Sequence, residues 1–204
     1  MSILIKEQFL SKENCFRYVE FLGRFLKPSP REGMSASLGY PTSYEASLVG
    51  EELGVVFEND EPINHEIGAL FDLVKAEAEL HFKDELDLCQ ASYQLMTKGS
   101  RNPLHADFIN LDGSPIQEDG SPEEIEFSGL LYLSEHPTDF EGGLLDFPGL
   151  KSTYHPRLGD LLIFRGDIEH RHEVTEVLSG ERRNLVFFWG RKGNVSNDKA
   201  FFTT

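Results

Sequence analysis

HEVTEVLSGERRNLVFFW, residues 172–189, decides how the chain is read. It holds two short apolar runs, HEVTEV and RRNLVFFW, separated by a glycine-bearing polar turn, and it is too broken for a helix of ordinary length. The same texture extends upstream. CQASYQLM (89–96), EFSGLLYLS (126–134), GGLLDF (142–147), KSTYH (151–155) and GDLLIF (159–164) are similar runs divided by Gly, Pro and acidic turns. Seven short strands at this density point to a sandwich or a barrel.

The N-terminal part reads differently. SKENCFRYVEFLGRFLK (11–27) places Cys15, Tyr18, Val19, Leu22, Phe25 and Leu26 at steps of three and four behind a Ser that can cap a helix. PINHEIGALFDLVKAEAELHF predicts a second helix over 62–82, with Ile67, Leu70, Phe71, Val74 and Leu80 on one face. The chain is therefore expected to be mainly β with supporting α-helices. Residues 1–87 are a helical support and irregular segment of the same domain, and 88–204 form a β core. Residues 28–59 are rich in Pro, Gly and Ser, and 109–126 contain two DGSP units that read as a long polar loop.

Composition excludes some functions. The 204 residues carry 35 acidic and 19 basic side chains, a formal charge of −16, which opposes general electrostatic binding to nucleic acid or to anionic membranes. The two cysteines, Cys15 and Cys89, lack zinc-finger spacing and do not suggest a disulfide framework. With no membrane-spanning run and no leader pattern, the expected location is cytoplasmic.

The chemistry concentrates in NPLHADF (102–108). His105 and Asp107 stand two apart, so an extended backbone projects both from one face, where they can grip one metal ion. A distal histidine would complete a set of two imidazoles and one carboxylate, which leaves three positions open on a six-coordinate ion. IEHRHEV (168–174) offers two candidates, His170 and His172, which an extended strand would again put on one face.

In the order LHADF, LLYLSEHPTDFEGGLLDF, HPRLGDLLIF, HEVTEVLSGERRNLVFFW, residues 88–191 resemble the 2-oxoglutarate- and Fe(II)-dependent dioxygenases, in particular their prolyl 4-hydroxylase-like branch. The resemblance implies a double-stranded β-helix, a cupin-like jelly roll with N-terminal helices. It implies His105, Asp107 and His172 as iron ligands, with His172 preferred to His170 because a Val, a Gly and a basic residue follow it in register. It implies an arginine for the distal carboxylate of 2-oxoglutarate. The Gly-X-Arg-X-Asn-Leu pattern selects Arg182, whereas counting back from Trp189 favours Arg183. Tyr132 is matched to a tyrosine that binds the same carboxylate, and Tyr93 to one that lines the cosubstrate pocket.

The activity implied is hydroxylation of an unactivated C–H bond with dioxygen, releasing succinate and CO2, with ascorbate as a supporting reductant. A prolyl residue of a peptide or protein is the leading substrate. A free amino acid or small metabolite is the alternative, and a jelly-roll binding protein without catalysis is the competitor from another class. Asp146 and Asp160 are expected to be structural, Asp160 by tightening the turn before LLIF. Phe147, Phe164, Phe187, Phe188 and Trp189 are expected in the core, His65 and His81 solvent-facing or packed, and His136 and His155 outside the site.

Overall fold

The structure, a computed structural model, describes residues 3–28, 43–48, 62–114 and 125–193. The elements run β1 (Leu4–Lys6), α1 (Lys12–Leu22), a 3-10 turn (Gly23–Phe25), β2 (Lys27–Pro28), β3 (Ser43–Ser47), α2 (Pro62–Phe82), β4 (Leu86–Thr97) and β5 (Asn102–His105). They continue with β6 (Phe127–Tyr132), β7 (Phe140–Gly142), β8 (Leu145–Phe147), β9 (Ser152–Tyr154), β10 (Leu161–Arg165), β11 (His172–Val174) and β12 (Val177–Arg191).

Each helix matches its expectation with one adjustment. Ser11 Oγ accepts the Asn14 amide at 3.3 Å and starts α1 as a capping serine should. The helix gives way to a 3-10 turn at Gly23, and Lys27 already belongs to β2, so the predicted 11–27 helix is cut short. In α2 the buried stripe is Ile67, Leu70, Phe71, Val74, Ala78 and Phe82. Leu80 is 73% exposed, contrary to expectation, because it falls two residues off the 71–74–78 repeat and points away from the sheet.

Two antiparallel sheets form the core. The larger has strand order β1-β10-β6-β12-β4-β3-β2, with β7 added against β12, and the smaller has order β5-β11-β8-β9. This is the double-stranded β-helix expected from the sequence. All seven expected strands are present. β1, which pairs with β10, and the short β7 were not anticipated, because three residues give no readable period, nor were β2 and β3, which lie in or beside a stretch read as irregular.

The alternation of β12 divides the interior. Leu185, Phe187 and Trp189 turn toward the helices, where Phe71 of α2 meets the Phe187 ring edge-on at 5.1 Å. Val186 and Phe188 turn the other way, toward Leu145 and Phe147 of the smaller sheet, Leu162 and Phe164 of β10, and Val174 of β11. Burying each large side chain contributes roughly 1.5–3 kcal/mol, so both layers are strongly driven. Phe147, Phe164, Phe187, Phe188 and Trp189 are all core, as expected. Asp160 is structural in another way than expected: its Oδ1 accepts the Gln8 amide at 2.8 Å and its Oδ2 the Tyr154 hydroxyl at 2.6 Å. It ties the N-terminal segment and β9 together rather than closing its own turn. Asp146 accepts the Thr153 hydroxyl across β8 and β9.

Among the described residues no helix is long and apolar enough to cross a membrane. Most of the 28–59 segment, and residues 115–124 of the 109–126 loop, lie outside the described residues.

Candidate metal centre

His105 ends β5 and His172 opens β11, and the two are paired directly across the smaller sheet. Their rings lie 4.4 Å apart, centre to centre. Asp107 follows β5 by two residues. The Asp107 and Phe108 amides both donate to the Gly166 carbonyl, at 3.0 and 3.3 Å. A Cβ at Gly166 would stand 2.9 Å from that of Asp107 and 2.8 Å from the Phe108 ring, so only glycine allows this approach. One ligating atom from each of His105, Asp107 and His172 lies within 4.8 Å of the others. His105 Nε2 is 3.4 Å and His172 Nε2 3.9 Å from Asp107 Oδ1.

The remaining polar atoms of all three side chains are occupied. His105 Nδ1 meets the Pro103 carbonyl at 2.8 Å, and His172 Nδ1 the His170 carbonyl at 3.0 Å. A carbonyl only accepts, so each Nδ1 carries the proton and each Nε2 presents a lone pair inward. Asp107 Oδ2 accepts the Ser128 hydroxyl at 2.5 Å, leaving Oδ1 toward the two imidazoles. Outer partners that fix tautomer and rotamer in this way are what a metal site requires. Burial raises the Asp107 carboxyl, but His172, His105 and Ser128 outweigh it and bring it down to about 2. Burial likewise holds His172 below its ordinary value, against the pull of Asp107. Both groups are therefore in ligating form at neutral pH. Two imidazole nitrogens and a carboxylate oxygen suit a non-haem Fe(II) ion with open positions.

His170 does not share a strand face with His172. It closes a 3-10 turn (Ile168–His170) capped by Asp167, whose Oδ1 accepts the His170 amide at 3.1 Å and lies 2.7 Å from its ring Nδ1. His170 is 1% exposed, so it is a buried support and not a surface residue. It serves His172 through its backbone carbonyl.

The second half of the site is a buried cation. Arg182 is 1% exposed and projects between the sheets, while Arg183 turns to the other face and pairs with Glu181. Arg182 Nε donates to the Gly143 carbonyl at 3.0 Å, Nη1 to Asn184 Oδ1 at 2.5 Å, and Nη2 to the Tyr132 hydroxyl at 3.2 Å. Gly143 has φ +58, and a Cβ there would lie 3.0 Å from Arg182 Cδ, which explains the glycine pair before LLDF. Among the described residues no acidic side chain pairs with Arg182. A guanidinium kept dry without a counter-ion is costly unless an anion completes it. Arg182 also lies near enough to help hold His172 neutral, so cation and metal ligands share one interior.

Tyr132 stands beside Arg182 as expected, and burial raises its phenol. Tyr93 does not. β4 pairs Met96 with Arg182 and Tyr93 with Leu185, so the two-residue repeat turns Tyr93 to the helix side. There burial pushes its hydroxyl up to about 12, against the pull of Arg183. Placing Tyr93 in the pocket is therefore corrected, and Met96, whose Sδ is 3.5 Å from Arg182 Nη1, lines it instead. Sequence reasoning also missed Ser128 and Asn184. Their signal is parity alone: Asn184 is two residues from Arg182 on one strand, and Ser128 four from Tyr132 on another.

A double-stranded β-helix with a His-X-Asp and distal His set, sharing its interior with a buried arginine, defines a non-haem iron oxygenase framework. The chain belongs to the 2OG-Fe(II) oxygenase superfamily, whose family model matches residues 91–191. It is 34% identical over 95 residues to human prolyl 3-hydroxylase 3, a match covering 43% of this chain and 12% of that protein, so the chain spans only a small part of that relative. Viral collagen prolyl hydroxylase from Paramecium bursaria Chlorella virus-1, solved as its 2-oxoglutarate complex, shares the fold at a TM-score of 0.63 and 17% identity. That likeness covers 94% of this chain and 96% of the viral one. A Trichoplax adhaerens prolyl hydroxylase in complex with a hypoxia inducible factor peptide fragment aligns at a TM-score of 0.65 and 14% identity, over 94% of this chain and 84% of that one.

Proposed function

We propose that the protein is an Fe(II)- and 2-oxoglutarate-dependent dioxygenase that hydroxylates an unactivated C–H bond, with a prolyl residue of a peptide or protein as its substrate. In balance, 2-oxoglutarate, dioxygen and R–H give succinate, CO2 and R–OH. Bound iron supplies the activation of dioxygen and the oxidative decarboxylation of the cosubstrate. The chain supplies the rest. His105, Asp107 and His172 hold the ion through Nε2, Oδ1 and Nε2. Arg182 and Tyr132 orient the cosubstrate by its distal carboxylate, to which a guanidinium can donate two charge-assisted hydrogen bonds. Phe147 and Phe164, 5.5 and 5.0 Å from the His172 ring, exclude water on that side.

The observation that carries this reading is Arg182, buried and without an acidic partner among the described residues, in the same interior as the His–Asp–His set. A metal site alone would fit many reactions, whereas a metal site beside an unpaired cation fits a chelating dicarboxylate. The prolyl substrate is supported by the human relative's name and by the two prolyl hydroxylases that share the fold. The test is incubation of the protein with Fe(II), 2-oxoglutarate, air and proline-containing peptides. A peptide mass gain of one oxygen that maps to proline is expected. Succinate formed with no peptide oxidised across a proline-rich panel, but with oxidation of a free amino acid, would move the substrate to small molecules.

A further inference from the structure

Six side chains form one line of polar contacts from the end of α2 to the metal centre. Arg191 Nε pairs with Asp84 at 2.8 Å and its Nη2 with Glu126 at 3.4 Å. Glu126 also meets Arg165 Nη2 at 3.6 Å, Arg165 Nε meets Asp167 Oδ2 at 3.2 Å, and Asp167 Oδ1 accepts His170 Nδ1 at 2.7 Å. The outer pairs are partly exposed, and each contributes little to stability. The inner end differs. Asp167 Oδ1 accepts the Glu169 and His170 amides, both at 3.1 Å, besides the His170 ring. With Arg165 on Oδ2, four N–H groups converge on one carboxylate.

Asp167 stands between the two backbone carbonyls that hold metal ligands. Gly166, its chain neighbour, receives the Asp107 and Phe108 amides. His170 ends the 3-10 turn that Asp167 caps, and its carbonyl receives His172 Nδ1 at 3.0 Å. The Asp167 carboxylate thus fixes where both carbonyls stand.

We propose that Asp167 is a positioning residue that sets Asp107 and His172 in register for one metal ion, through the Gly166 and His170 carbonyls, with Arg165 steadying its outer oxygen. This rests on the reading of His105, Asp107 and His172 as the metal set. A shift of either carbonyl would turn the His172 ring or displace Asp107 Oδ1, and a ligand set spread in that way binds an ion more weakly and with altered geometry. The His170 ring is one of four donors to Asp167, and its loss leaves both carbonyls in place. The carboxylate, not the imidazole, is the hub.

The test titrates the metal-free protein with Mn(II) and Co(II) by calorimetry and records the visible d–d bands of the Co(II)-loaded protein, which report ligand number and geometry. Asp167→Ala should lower affinity for both ions about 10- to 100-fold, the usual effect of losing an outer partner, and change the Co(II) bands. Asp167→Asn keeps an oxygen for the two amides and the His170 ring and gives up only the Arg165 pair. It should hold affinity within about threefold of wild type and keep the wild-type bands. Asp160→Ala, which cuts the ties to Gln8 and Tyr154, is the control: its melting temperature should fall while metal affinity and Co(II) bands stay as in the wild type. Wild-type affinity and bands in Asp167→Ala overturn the proposal, as does an equal metal loss in Asp160→Ala or in Asp167→Asn. If Asp167→Ala does not fold, Asp167→Ser takes its place, since one hydroxyl oxygen cannot serve four donors, and unchanged affinity and bands there overturn the proposal. A wild-type protein that binds neither ion overturns the metal-centre reading and the proposal together, whereas wild-type binding that the variants share overturns the proposal alone.

Discussion

Replacing Arg182 by Met should separate binding from folding. The guanidinium makes four hydrogen bonds to neutral partners, Gly143, Asn184, Tyr132 and the weakly accepting Met96 sulfur, and has no acidic partner among the described residues. Its desolvation is therefore poorly offset in the ligand-free protein, and relief of that cost is set against about 1–3 kcal/mol for each of the Gly143 carbonyl and Asn184 Oδ1 left without a donor, so stability should change little. Binding should fall sharply. Two charge-assisted bonds of about 1.5–3 kcal/mol each are lost, roughly 3–6 kcal/mol in all, or about a 10²- to 10⁴-fold rise in the Kd for 2-oxoglutarate. Denaturant titration and calorimetry of the metal-loaded protein read the two quantities. Arg183→Met, which removes only a half-exposed pair with Glu181, should change the Kd less than threefold. Unchanged 2-oxoglutarate affinity in Arg182→Met, or a large loss in Arg183→Met, would refute the assignment.

Other expectations follow from the metal ligands. His172→Ala should abolish tight divalent-ion binding, while His170→Ala, which keeps the backbone carbonyl that receives His172 Nδ1, should retain affinity within about tenfold; calorimetric ion titrations distinguish them. Ser128→Ala frees Asp107 Oδ2 and should cost roughly 10- to 100-fold in metal affinity with little change in 2-oxoglutarate contacts. Because burial depresses His172 below its unfolded value of 6.5, the folded state binds fewer protons there, so this contribution to stability is full above pH 6.5 and is lost as pH falls through the lower folded value. Metal affinity should fall over the same window, and Asp107, held to about 2, should not contribute above pH 4. A melting temperature flat from pH 7.5 to 5 would contradict this.

Much of the candidate site was legible through the resemblance carried by the ordered motifs. The two-residue spacing of His105 and Asp107 can grip one ion but is common by itself, and their assignment, like those of His172 and Arg182, rested on the family-like sequence around them. The two arginines resolve by parity: Arg183 shares the face of Trp189, which is packed against the helices, so Arg182 must turn inward. Tyr93 failed by the same rule. Its parity depends on which residue of β4 lies opposite Arg182, a tertiary register that no local pattern in CQASYQLM specifies. HRH alternates as a strand would, so pattern alone left His170 beside His172; the Asp167 carboxylate captures the amides ahead of it and winds a 3-10 turn, which makes His170 a turn histidine. Ser128 carried only its parity, and Asn184 that parity and its place in Gly-X-Arg-X-Asn-Leu, weak signals since an uncharged polar residue in a strand is as common on a solvent face as beside a ligand.

The most direct test of the central claim is Fe(II)-dependent conversion of 2-oxoglutarate to succinate by the purified protein, compared with Asp107→Ala. Under labelled dioxygen, succinate carrying one labelled oxygen is expected from the wild-type protein and none above background from the variant. Labelled succinate formed equally by both, or by neither while 2-oxoglutarate and a peptide substrate are present in excess, would contradict the account.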